Sequence, residues 1–123
     1  MNALKRKGIY DYDYENDILF VHIKGIKSDD AIDHDPFIID LDEQKRMVGI
    51  EVLGVSKLFN LPKIFFKNVV KGSLKTNIKG KYITIVLDMA SKIRNSIKEK
   101  SVIFQREKDE FVKNVAIECV VWL

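Results

Sequence analysis

Carboxylates dominate the chemistry this chain could offer. Asp40 and Glu51 fall inside two strand-like apolar runs, at 37–42 and 46–53. Two carboxyl groups that share a site can divide into a proton donor and a base, as in glycoside hydrolysis. Asp40, Glu51 and the acids of the first hairpin could be paired in this way, and the turn Glu43-Gln44-Lys45 sets the register of the second hairpin. Pairing centred on that turn opposes Asp42 to Arg46 and sets Asp40 beside Ile38, Val48, Ile50 and Val52. Glu51 then joins the opposite face with Phe37, Ile39, Leu41, Met47 and Leu53. Each acid is expected to accept hydrogen bonds from backbone amides or tyrosine hydroxyls at the sheet edge. Asp42 and Arg46 are expected to form an exposed cross-strand ion pair worth under about 1 kcal/mol. No nucleophile, oxyanion donor or glycine-rich phosphate loop accompanies these acids, so no residue is assigned as catalytic.

Other groups fare less well. The polar stretch 25–36 holds Asp29, Asp30, Asp33, His34 and Asp35, a composition that suits hard cations. It lacks the alternating ligands, central glycine and distant glutamate of a calcium loop, so it is read as a solvated loop. His22 and His34 have no third ligand at zinc-like spacing. Cys119 is the single cysteine, unable to form an internal disulfide, and is read as a small buried hydrophobe. Tyr10, Tyr12, Tyr14 and Phe20 could stack on bases, but acidic residues interleave them, and core packing or a subunit interface fits better. No metal and no cofactor are expected.

These residues must be positioned by strands. Tyr10, Tyr12 and Tyr14 alternate with Asp11, Asp13 and Glu15, and Ile18 to Ile23 follows after Asn16. Closing the hairpin at Asn16 puts Tyr10, Tyr12, Tyr14, Phe20 and His22 on one face, and Leu19, Val21 and Ile23 on the other with Asp11 and Asp13. Gly54 ends a strand, and Ser56 can cap a short turn through Leu58 and Phe59. Pro62 and Gly72 bracket an amphipathic helix over 62–71, with Ile64, Phe65, Phe66, Val69 and Val70 apolar and Lys63, Lys67 and Lys71 opposite. At least one of Phe65 and Phe66 should enter the core. Strands follow at 73–78, 81–89, 102–106 and 115–123, and 92–98 is read as strand despite a helix-like spacing of Met89, Ile93 and Ile97. The fold class is α+β, β-dominated: two antiparallel meanders joined by a helical connector in one domain over 1–123.

Two stretches are similar to a known family. Residues 12–21, Tyr-Asp-Tyr-Glu-Asn-Asp-Ile-Leu-Phe-Val, resemble the opening hairpin of the YuzE-like small domains of unknown function. Residues 38–42 and 48–57 resemble that family's second hairpin and strand-to-helix step. The resemblance spans about 9–59 and leaves 62–123 as an extension. It implies a β-meander, no established reaction, and Tyr12, Asp13, Asp17, Asp40, Asp42, Glu51, Ser56 and Lys57 as motif residues. It also implies, for some members, partnership with small nuclease-like toxins, hence an antitoxin-like regulator.

Composition and charge bound the rest. At 123 residues, 46% hydrophobic and 32% charged, the chain has too much apolar content for disorder, and no apolar run approaches the ~20 residues of a membrane span. Lys5-Arg6-Lys7 is followed by Tyr10-Asp11-Tyr12-Asp13, so no export signal is expected, and a cytoplasmic location follows. Residues 9–60 carry twelve acidic and five basic side chains, whereas 61–123 carry thirteen basic and six acidic. That split favours contact between halves or between copies, so a homo-oligomer is expected. The leading function is a non-catalytic protein-interaction or assembly module that regulates a protein partner. Nucleic-acid binding by the basic half is the alternative, and a carboxylate hydrolase the weakest.

Overall fold

The structure, a computed structural model, describes residues 4–107 and 115–122. Nine strands and two short helices follow in order: β1 (Leu4–Asp13), β2 (Ile18–Ile23), β3 (Asp30–His34), β4 (Phe37–Leu41), β5 (Met47–Leu53), α1 (Val55–Phe59), α2 (Lys63–Lys67), β6 (Val69–Lys79), β7 (Tyr82–Ile93), β8 (Ser96–Glu107) and β9 (Val115–Trp122). The strands run β3-β4-β5-β2-β1-β9-β6-β7-β8 across the sheet. β1 belongs to both halves. Gly8 to Asp13 pair antiparallel with β2, and Leu4 to Lys7 pair parallel with β9. The connection between halves is therefore a shared strand as well as a helical connector, and β9 is inserted between β1 and β6 rather than continuing a meander.

One apolar cluster joins the halves. Leu19, Val21, Ile39, Ile50 and Val52 from the first pack with Leu74, Ile78, Ile83, Ile85 and Leu87 from the second. Period-2 burial on β2, β4 and β7 shows how the alternation seen in sequence feeds this core. Phe37 on β4 stacks on Phe104 of β8, with ring centroids 3.9 Å apart, and closes one corner.

Three expectations are corrected. The first hairpin closes through a four-residue turn, with Asp13 opposite Ile18 and Tyr12 opposite Leu19. This one-residue slip moves Tyr10 and Tyr12 inward, where they pack on the core, and leaves Phe20 and His22 on the face with Asp11 and Asp13. The helix expected over 62–71 is only Lys63–Lys67; Val69 starts β6 opposite Ser91, and Gly72 sits within that strand. β-branched Val69 and Val70 suit a paired strand better than a helix end. The stretch 25–36 contains β3, an edge strand on β4, rather than an uninterrupted loop. The 92–98 segment forms strand ends around an Arg94-Asn95 turn with both residues at positive φ, as the strand reading requires. Cys119 pairs with Leu74 and Arg6 along β9, and its side chain lies outside the described residues.

The short helix α2 is a brace. Phe65 and Phe66 are both buried and meet edge-to-face. Phe66 also packs 5.5 Å from Tyr12, and its carbonyl accepts the Tyr10 hydroxyl at 2.6 Å. Ser91 donates to the Phe65 carbonyl. Phe66→Ala should therefore cost about 3–5 kcal/mol, while Ile64→Ala, on the exposed side, should stay within about 0.5 kcal/mol. Urea unfolding of the two variants checks this; equal losses would remove the brace.

Candidate functional site

The motif residues divide into two groups when their contacts are traced. The first group builds turns. Asp13 accepts from the Asn16 amide at 3.1 Å and from its side-chain amide at 2.8 Å, closing the β1–β2 turn. Asp42 accepts from the amides of Gln44 and Arg46 and from Arg46 Nε at 2.9 Å, closing the β4–β5 turn. The expected Asp42–Arg46 pair is thus present, but its carboxylate is buried at the turn while the guanidinium stays exposed. Burial works against the charge on Asp42, and these hydrogen bonds outweigh it, holding the group below the usual carboxylate range.

Asp17 is the centre of this group. It stands at φ 57, in the left-handed region, which its short polar side chain tolerates better than most. Its carboxylate accepts Tyr12 Oη at 2.6 Å, Ser56 Oγ at 2.7 Å and the Ser56 amide at 3.2 Å. Its carbonyl accepts the Val55 amide. A turn residue from the first hairpin thereby satisfies the open amides at the start of α1. Ser56 was expected to cap that helix; it lies inside it and donates instead. Burial raises the cost of the Asp17 charge, yet the bonds from Ser56 and Tyr12 prevail and keep its carboxyl below the usual range. The Tyr12 hydroxyl is pushed up, by burial first and by Asp17 second. Lys57 is exposed, in the last turn of α1.

Asp40 and Glu51 form the second group, and here the structure overturns the expected face assignment. A bulge separates Leu41 opposite Met47 from Asp40 opposite Gly49, leaving Val48 as the extra residue. Past it Ile38 faces Glu51, so Asp40 and Glu51 share the face turned away from the core and lie diagonally across Gly49. Gly49 also faces His22 of β2, so close that a Cβ at position 49 would collide with His22 Cβ. The Tyr10 and Tyr12 hydroxyls, expected among the donors to these acids, bond the Phe66 carbonyl and Asp17 instead. Asp40 and Glu51 act on each other across Gly49. Burial, then the hydrogen bond and charge of Asp40, push Glu51 up to about 7. His22 Nδ1 lies 2.8 Å from the Ile23 carbonyl, so Nδ1 carries the proton when the ring is neutral.

A carboxyl pushed up to about 7 beside a second carboxylate can take up and release a proton near neutral pH. Among the described residues no group of three or more His, Cys, Asp or Glu is arranged to hold a metal ion. Asp30 of the expected solvated loop pairs with Lys45 at 3.1 Å. The available sequence signal for the Asp40–Glu51 meeting was Gly49, since a glycine within a strand marks a bulge or a close approach.

Residues 9–56, which hold both hairpins and the Asp17–Ser56 contact, match the family described as protein of unknown function (DUF2283). The chain is 43% identical over 95 residues to the uncharacterized protein MJ0789 of Methanocaldococcus jannaschii, covering 75% of this chain and 82% of that protein. This chain belongs to the DUF2283 family. The YuzE-like name stays a resemblance. A Methanosarcina mazei protein carrying the name "Putative hypoxanthine phosphoribosyltransferase" is 31% identical over 93 residues, covering 76% of each chain. No solved structure matches. For the DUF2283 family, the geometry assigns Tyr12, Asp13, Asp17, Asp42 and Ser56 of this member to turn and helix closure, and leaves Asp40 and Glu51 without such a task.

A pH prediction follows from the raised Glu51. The folded state binds more protons than the unfolded chain between about pH 4.5, the ordinary glutamate value, and about 7. Stability from this group is full below that window and is lost as pH rises through it. Glu51→Gln should flatten that part of the stability curve relative to the parent. Asp17 acts in the opposite sense: its contribution is present above the ordinary aspartate range and is lost on acidification. Urea midpoints of parent and variant between pH 4 and 8 check Glu51, and parent midpoints below pH 4 check Asp17; parallel curves for parent and variant would show that Glu51 titrates normally.

Proposed function

We propose that this protein is a non-catalytic interaction module that binds by strand addition along β8, with 1–123 acting as one domain around the shared core. The observation that carries this reading is the β8 edge. It is twelve residues long, pairs with β7 along its whole length, and ends the sheet. From Ser96 to Ser101 it is exposed on both faces, and Ile97 and Ile103 are 53% and 70% exposed. An edge of that length offers alternate amides and carbonyls to an incoming strand, and the side chains set its specificity. The opposite edge, β3, is five residues long and carries Asp30 and Asp33, the usual protection against pairing. A regulator that grips a protein partner, as the family resemblance implies for some members, is the role this surface suits. No helix among the described residues is long and apolar enough to cross a membrane. Phosphoribosyl transfer is not adopted, because both helices have five residues and no glycine-rich loop leads into either.

Hydrogen exchange tests the reading. The outward amides of β8 should exchange quickly in dilute protein and become protected when a partner is bound, with β3 unchanged. Protection confined to any other element would remove β8 from the function.

A second reading has one observation in its favour, the placement of Asp40 and Glu51 diagonally across Gly49 on one face, where Glu51 is pushed up to about 7. Acid–base catalysis would use the pair as donor and base. Hydrolysis of chromogenic glycosides or esters that disappears in both Asp40→Asn and Glu51→Gln, with melting unchanged, would establish it. Equal background rates in parent and variants would dismiss it.

A further inference from the structure

We infer that the partner strand at β8 is supplied by a second copy of this chain, in a two-fold pairing centred on Ser101; this rests on β8 being the binding edge. An antiparallel pair of identical strands is related by an axis perpendicular to the sheet, so residues directly opposite must lie on the same face. Only registers in which paired residues are an even number apart satisfy that condition. Four such registers pair at least nine residues of each β8. Three oppose like charges: one sets Lys100 against itself, one Lys98 against Arg106, and one Glu99 against Glu107. Like charges directly opposite are destabilising.

The fourth register places Ser101 opposite Ser101 of the second copy and opposes no like charges. It pairs Lys100 with Val102, Glu99 with Ile103, Lys98 with Phe104 and Ile97 with Gln105. In this arrangement Ile97 of each copy is diagonal to Ile103 of the other, within reach for a side chain of that length. The two most exposed isoleucines among the described residues are thus covered by each other, twice, by symmetry. Small Ser101 at the axis lets the two strands meet without a side-chain clash. The same centre joins two concavities: a cavity of about 550 Å³ lined by Ser73, Asp88, Glu99 and Ser101 borders β8 in each copy, and the two-fold brings them side by side.

Cross-linking tests copy and register together. In a Cys119→Ser background, Ser101→Cys places two thiols directly opposite, at a Cα separation of about 4.5–5.5 Å that a disulfide can span. Ile103→Cys places its two thiols about 13 Å apart along the strands. Light scattering should give twice the 14.3 kDa chain mass. Mild oxidation should give a covalent dimer from Ser101→Cys and none from Ile103→Cys. A 14.3 kDa particle throughout the micromolar range would overturn the inference. So would a dimer that cross-links through position 103 and not 101. A monomer whose β8 amides gain protection only on binding a different protein would overturn the self-pairing while leaving the strand-addition reading standing.

Discussion

The N-terminal half of this molecule depends on where one carboxylate finds its donors. Asp17 sits in a left-handed turn and gathers Tyr12 from the strand before it and Ser56 from a helix 39 residues later. Holding Tyr12 in that bond requires Asp13 opposite Ile18, which in turn decides the face of every residue on β1 and β2. Tyr10 and Tyr12 then point at Phe66, and α2 is seated by an aromatic contact and a hydroxyl bond to its last turn. A buried carboxylate is costly unless each oxygen is satisfied. Here both oxygens are, so the bond set resists slippage as well as unfolding.

Asp40 and Glu51 show the opposite use of the same residue type. Burial, then the hydrogen bond and charge of Asp40, work against ionisation of Glu51 and push it up to about 7. The bulge at Val48 makes this meeting, and Gly49 makes room for it against His22. The outer face of this hairpin therefore carries a carboxyl pushed up to about 7, whereas the turn carboxylates Asp17 and Asp42 are held below the usual range.

The two sheet edges are treated differently. β3 is short and acidic, and Phe37 beside it is covered by the Phe104 ring from the other half. β8 runs past that corner with its first half uncovered on either face. The second half of β8 is anchored on the core through Phe104, whereas its first half, with Lys98 and Lys100 on the same side, is held by the ladder to β7. Such a strand is available to a partner without any rearrangement of the fold.

Periodicity and turn chemistry were legible in the residues alone. The alternation of 18–23, 37–42 and 81–89, the Asp42–Arg46 turn and the burial of Phe65 or Phe66 all arise from local patterns that tertiary context left intact. Register was not legible, because closing a hairpin in three or four residues costs nearly the same locally, and the choice rests on Asp17 reaching Ser56 across 39 residues. The same limit hid the Asp40–Glu51 pair: a single extra residue at Val48 exchanges faces, and Gly49 hinted at it without fixing its side. Val69 and Val70 carried a helical spacing that pairing with β7 overrode. The parallel contact of β1 with β9 joins the two ends of the chain, and no window of sequence contains both. Local preference chose the elements, whereas long-range hydrogen bonds and the shared core chose their faces and neighbours.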